Sequence, residues 1–238
     1  MRPVLRPLAG LFFLGLPLLL GGCLTLEVRT RLRPDGSAER TVTVAVDEVL
    51  LQGAAADPIA ALHEAAVAAG WRAEPYRDER RGERGVRLSR TASALEDLGR
   101  LPATDPLAGL ERIALEAGEP SRVTVTLSIA GVLERLRQAA GEPPLSPEDR
   151  TLLQAADLRL IYTLEVPGVV FDYAPRDLAR AEGGRVRWEV PLTPDRPEIT
   201  LTARWRPVAS GPFPPLCAGG LGLLLSLAVG IGAIRGWR

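Results

Sequence analysis

Residues Leu24–Val46 read LTLEVRTRLRPDGSAERTVTVAV, and their alternation decides the fold. Leu24, Leu26, Val28 and Leu32 share one face of an extended chain, while Glu27, Arg29, Arg31 and Arg33 lie mostly on the other. A period of two is that of a strand, because successive Cβ atoms point to opposite faces. Asp35-Gly36 interrupts the pattern with a favoured hairpin turn, and Arg40–Val46 resumes it. The stretch therefore predicts a β-hairpin with one wet face, a unit of antiparallel sheet.

Upstream, residues 1–22 combine Arg2 and Arg6 with the apolar run Leu8–Leu20 (LAGLFFLGLPLLL) and end in Gly21-Gly22 before Cys23. A positive start, an apolar run of 13 residues and small residues at the cut describe a secretory signal. Leu20-Gly21-Gly22-Cys23 has the pattern of a lipobox, in which the Cys23 thiol accepts a diacylglyceryl group and becomes the mature N-terminus. The hairpin would then begin one residue after the anchor.

Downstream, Asp57-Pro58 supplies an N-cap and first helical residue, and Gly70 a stop. Trp71–Arg77 and Val86–Arg90 predict a second hairpin around the charged tip Asp78–Arg84, and Ser93-Ala-Leu-Glu96 a capping box for a short helix. Residues 123–129 alternate again. Val132–Ala140 and Pro147–Ala156, the latter capped by Ser146, predict helices. Leu158–Val166, Arg185–Leu192 and Ile199–Trp205 predict three more one-faced strands. The fold class expected is α+β: an antiparallel-sheet-rich domain with a few helices over residues 23–206, with a subdomain boundary placed near 100–110, around Pro102 and Pro106.

Residues 207–215 (PVASGPFPP) form a Pro-rich stalk, and Leu216–Ile234 is an uncharged apolar run of 19 residues. At 1.5 Å per residue it spans about 28 Å, one hydrocarbon thickness. Arg235 and Arg238 follow, so residues 235–238 are expected in the cytoplasm and residues 23–206 outside the cell membrane. Ala218, Gly222, Ser226 and Gly230 recur every four residues, a stripe of small side chains along which a second transmembrane helix could pack.

All 29 basic residues are Arg, against 29 acidic ones; four of the Arg lie in the terminal segments, leaving 25 against 29 in the domain and a net charge of −4. No basic arm or patch for nucleic acid follows from that balance. Both cysteines lie in the terminal segments, so the domain has no disulfide and must rest on its own core.

Residue types for chemistry are sparse. His63-Glu64 begins like a zinc-protease helix, but Val67 stands where the second His is required, and His63 reads as a helix-surface residue. No Gly-rich phosphate loop follows a strand, so neither a metal nor a cofactor is implied. Glu96-Asp97 and Glu148-Asp149 suit first helical turns. Glu64, Asp172 and Glu189 have no spacing that fixes them opposite one another as a glycosidase pair would need. Trp188 and Trp205 lie in register with the apolar faces of their strands and read as core; Trp71, at a helix-to-strand junction, could pack inward or meet a ligand. Arg80 and Arg81, in the charged tip, are further candidate ligand contacts, for lipid phosphates, set against a solvated turn in which the interleaved acids nearly cancel the arginines.

The chain resembles the LppM-like bacterial lipoproteins. The resemblance lies in the order of Gly22-Cys23 with its immediate Asp35-Gly36 hairpin, Gly70-Trp71 followed by Glu74-Pro75-Tyr76 and a charged turn before Gly85-Val86, Pro167-Gly168, and Gly184-Arg185-Val186-Arg187-Trp188 before a terminal membrane helix. A longer helical middle, roughly residues 131–157, departs from it. The resemblance implies a surface protein that recognises envelope lipids or lipoglycans, and it carries over no catalytic residue. The expectation is a non-catalytic, membrane-anchored lipoprotein binding an envelope lipid, a lipoglycan or a partner protein. The rival readings are a carboxylate-dependent hydrolase of envelope polymers and a structural subunit of a membrane complex.

Overall fold

β1 (Leu24–Leu32) and β2 (Ala38–Asp47) form the expected hairpin, in register from Leu24↔Val46 to Leu32↔Ala38. At its turn Gly36 takes a φ of +84°, which a side chain would resist. Asp35 accepts hydrogen bonds from the Ser37 hydroxyl and amide, and these, the hydroxyl first, hold its carboxyl below the ordinary range. The computed structural model describes residues 24–51, 57–102, 105–132, 134, 146, 158–193 and 196–207.

After the one-turn α1 (Glu48–Leu51), α2 (Pro58–Ala68) starts as predicted, with the Asp57 carboxylate accepting from the amides of Ile59 and Ala60. β3 (Arg72–Asp78) and β4 (Glu83–Ala92) are the second hairpin. The expected short helix is present as a 3-10 turn, Leu95–Gly99, but without the capping box: Ala94 is its N-cap and no side chain caps it. The Ser93 hydroxyl donates to Asp97, and Glu96 turns away to accept from the amide of Leu115.

β5 (Glu111–Glu116), β6 (Ser121–Ser128), β7 (Arg159–Glu165), β8 (Gly168–Ala174), β9 (Ala179–Glu182), β10 (Arg185–Pro191) and β11 (Glu198–Pro207) complete the strands. One sheet has the order β3-β4-β2-β1-β7-β10-β9 and the other β5-β6-β11-β8. The described residues thus make a largely β domain. Its sheets are not wholly antiparallel, because β1 and β7 run side by side in parallel at the middle of the larger one. Residues 129–132 and 134 are helical; the rest of the two predicted central helices lies outside the described residues.

Both sheets feed one hydrophobic cluster. Leu26, Val42, Leu160, Val186 and Trp188 come from the larger sheet, and Val125, Leu127, Leu201 and Trp205 from the smaller. Fully burying each such side chain contributes roughly 1.5–3 kcal/mol. Residues on both sides of the 100–110 segment supply this cluster, and contacts group the chain up to Pro207 as one compact unit.

Among these apolar groups lies a charge. Arg40, on β2, is 1% exposed and stands opposite Thr30 of β1 in the ladder. Its Nη2 donates to the hydroxyls of Thr30 at 3.0 Å and Tyr162 at 3.2 Å, and its Nη1 pairs with the Glu111 carboxylate of β5. The pair joins the two sheets. Burial pushes the guanidinium's pKa down and Tyr162 opposes that shift; an arginine stays charged nonetheless. Removing one partner of a buried ion pair strands the other, at a cost of about 3–5 kcal/mol. Glu111→Ala should lose that much in urea unfolding of the detergent-solubilised chain, followed by tryptophan emission. Arg40→Met/Glu111→Leu should regain most of it. A double variant as unstable as the single one would show that the ion pair is not what ties the sheets.

Candidate functional site

Cys23 and the stripe Ala218, Gly222, Ser226 and Gly230 lie outside the described residues. Among the described residues, which do not include 216–234, no helix is long and apolar enough to cross a membrane.

Trp71 is 4% exposed, and its indole N–H donates to the Asp105 carboxylate at 2.8 Å. Asp105, itself fully buried, also accepts from the amide of Leu107 and from Arg90, whose guanidinium lies 5.9 Å from the Trp71 ring centre. The indole is therefore a tie between β3 and the 105–110 loop, with no open face to stack on a sugar. Arg80 and Arg81 are exposed at the far end of β3, roughly 20 Å along the strand from Trp71. Asp78 accepts from both their amides, and the Arg81 side chain lies 3.9 Å from Asp78 and 4.0 Å from Glu83. The structure does not bring the three candidates together. Trp188 and Trp205 are buried, 1% and 3% exposed, as their strand register predicts.

A different place has the geometry of a site. Where the β1–β2 turn meets the β7–β8 and β9–β10 corners, Arg31, Arg33, Glu165, Pro167, Glu182 and Arg185 line an open depression of about 600 Å³. Two glycines permit the corner. A Cβ on Gly168 would stand 2.2 Å from the Arg206 carbonyl oxygen, and one on Gly184 2.5 Å from that of Gly168. Gly168 pairs with Pro207 at the end of β11, so the depression adjoins the last described residue of the smaller sheet.

Glu165 sits between two guanidinium groups, Arg29 at 2.8 Å and Arg185 at 2.7 Å. Burial pushes its carboxyl up, but the hydrogen bonds and charges of Arg29 and Arg185 outweigh it and hold the pKa below the ordinary value. A carboxyl kept ionised in this way is poorly suited to donate a proton. Arg33 pairs with Glu39 at 3.0 Å, while Arg31 and Arg185 are exposed at the rim. Guanidinium forks so arranged suit phosphate or carboxylate oxygens. Two of the dispersed carboxylates are engaged elsewhere: Glu189 lies 3.4 Å from Arg187 and 3.7 Å from Arg159, and Asp172 3.1 Å from Arg176 and 3.9 Å from Arg204.

Sequence reasoning passed over Glu165, Asp105, Glu111 and Arg40. Arg40 alone carried a signal, since the alternation of β2 puts it on the inward side with Val42 and Val44.

The clamp on Glu165 sets a pH dependence. Its folded pKa is depressed, so its stabilisation is full above the unfolded value of 4.5 and is lost as pH falls through the folded one. Arg29 and Arg185 are half exposed, so Glu165→Gln should cost about 1 kcal/mol at pH 7 in thermal unfolding. Wild type and variant should converge in acid. A gap unchanged from pH 7 to the acid limb would show that the clamp does not act through charge.

No protein-family model and no curated protein matches the chain. The NMR structure of the folded domain of Mycobacterium tuberculosis LppM is similar to it, with 14% sequence identity and a TM-score of 0.47, over 80% of this chain and 94% of that one.

Proposed function

We propose that this chain is a membrane-held extracytoplasmic lipoprotein, not an enzyme, whose β domain binds the anionic headgroup of an envelope lipid or lipoglycan. The observation that carries the binding reading is the open depression lined by Arg31, Arg33 and Arg185 against Glu165 and Glu182, of which Glu165 is already neutralised by Arg29 and Arg185. A second anion entering there meets guanidinium donors and is not repelled by a free carboxylate at Glu165. Anchorage is supported by the lipobox before Cys23 and by the apolar run 216–234, with the arginines after it orienting the chain. The two chains of a diacylglyceryl group already anchor a protein stably, and a transmembrane helix makes the attachment effectively irreversible.

Lipidation is read by intact mass. The mature chain should begin at a Cys23 carrying acyl groups, and Cys23→Ala should accumulate with its leader uncut. An unmodified Cys23, or a mature start elsewhere, would remove the lipoprotein reading.

Headgroup binding is read by calorimetry of the full chain in nonionic detergent, titrated with short-chain phosphatidylglycerol and, as control, short-chain phosphatidylcholine. The anionic lipid should bind saturably, and Arg31→Gln/Arg185→Gln should weaken it at least about tenfold, the worth of one or two charge-assisted hydrogen bonds. Equal affinity for both lipids, or a variant that binds as wild type does, would rule the depression out.

A further inference from the structure

The outer face of the smaller sheet carries a patch that is aromatic and cationic together. Phe171 and Val169 of β8 are 43% and 51% exposed, in a domain whose apolar side chains are mostly buried. Leu201, Ala203 and Trp205 of β11 point inward and are buried, so the residues between and after them, Arg204 and Arg206, point outward. Both guanidinium groups lie against the Phe171 ring, 5.7 and 5.1 Å from its centre.

Arg122 of β6 stands directly opposite Arg204 in the ladder. Like charges facing across a strand pair destabilise it, and an anionic surface laid over them reverses that effect. Carboxylates temper the patch without cancelling it. Asp172 lies 3.1 Å from Arg176 and 3.9 Å from Arg204, and Glu116 4.0 Å from Arg122, leaving four arginines against two acids.

Chain geometry says which anionic surface is at hand. β11 ends at Pro207, and eight residues separate it from the apolar run that starts at Leu216. Leu24, one residue from Cys23, is at the opposite end of the strands, because β1 runs parallel to β7 and Pro207 pairs with Gly168 just past the end of β7. Eight residues reach at most about 28 Å, so a bilayer that holds residues 216–234 lies within that reach of Pro207, whose strand carries Arg204 and Arg206 and pairs with β8 at Val169.

We propose that Phe171, Val169, Arg122, Arg204 and Arg206 form a docking face that seats on the anionic leaflet of the bilayer holding the chain. The proposal rests on the membrane-held reading. The ring and the valine enter the headgroup boundary, and the guanidinium groups meet lipid phosphates, the arrangement that aromatic and basic residues adopt at membrane interfaces.

The test uses the full chain reconstituted into vesicles of brominated phosphatidylcholine with about 30% phosphatidylglycerol, a fraction giving the negative surface potential on which such docking depends. Phe171→Trp places a fluorophore in the patch. Val67→Trp, on α2 at the β3–β4 edge and 50% exposed, is the control, and wild type gives the background. Bromolipid should quench the added emission of Phe171→Trp by on the order of twofold more than that of Val67→Trp, since a docked ring sits among headgroups. Arg204→Gln/Arg206→Gln in the same background, or vesicles of phosphatidylcholine alone, should abolish the difference. Should Phe171→Trp fail to fold, Val169→Trp gives the same readout. Equal quenching at the two positions in anionic vesicles, or quenching indifferent to the arginines, would overturn the docking face. Flotation of the same samples reads the attachment separately: a chain that does not float with vesicles overturns the membrane-held reading itself.

Discussion

The fold turns on one buried cation. Arg40 lies in the core with its Nε and Nη2 on the Thr30 hydroxyl, its Nη2 also on Tyr162, and its Nη1 on the Glu111 carboxylate and 3.5 Å from the Leu98 carbonyl oxygen. Desolvating a guanidinium costs several kcal/mol, and the contacts around it must return that before anything is gained. An apolar side chain of the same volume would serve stability as well or better. What the network adds is selectivity. It is satisfied only when β1 and β2 pair with Thr30 opposite Arg40, β7 lies beside β1 in parallel, and β5 of the other sheet comes within reach. A one-residue slip of β2 would turn Arg40 to solvent, bring Glu39 or Thr41 into the core and leave Glu111 facing an apolar wall. The network thus selects register within one sheet and docking between two, in a domain with no disulfide to do either.

From that centre the corners follow. The strands leaving the middle of the larger sheet must cross to the smaller one where β7 ends. Gly168 and Gly184 let the backbones pass at distances no Cβ tolerates. The crossing gathers turn residues from β1–β2, β7–β8 and β9–β10 into one rim, and the arginines there come from two separate stretches of sequence. Trp71 and Asp105 perform the matching task at the other side, fastening the loop before β5 to the start of β3. Both corners bury or clamp a carboxylate with donors from distant parts of the chain, which is how a buried acid is made tolerable.

Much of the architecture was legible because it follows local rules. The hairpins at Asp35-Gly36 and Asp78–Gly82, the Asp57 cap and the strands that carry Trp188 and Trp205 each follow from alternation, capping or turn chemistry. Glu111–Glu116 was not, since Glu-Arg-Ile-Ala-Leu-Glu is built from good helix formers and becomes a strand only by pairing with β6. Ala179–Glu182 is four residues of charged edge, too short for any period to show. The parallel β1–β7 pair had no signature either, because residues 33–158 separate those strands in the sequence. The rim shares that invisibility: Arg31, Glu165 and Arg185 each look like ordinary outward strand residues, and only the ladder brings them within 3 Å of a common acid or into one depression. Trp71 misled for the opposite reason. A junction tryptophan is ambiguous until its indole partner is known, and Asp105 lies 34 residues away.

The charge distribution bears on how such a domain meets a membrane. With 25 arginines against 29 acids it is negative as a whole, and an anionic leaflet repels it at long range. Within a Debye length of about 8 Å, however, only the nearest charges count. Many arginines lie beside a carboxylate, as Arg112 does beside Glu198 at 3.2 Å and Arg77 beside Glu48 at 3.2 Å, and present little net field. Arg204 and Arg206 differ: the ring they share is neutral, and the acid nearest Arg204 is divided with Arg176. Net repulsion with local attraction orients more than uniform attraction would, since faces without unpaired arginines are turned away.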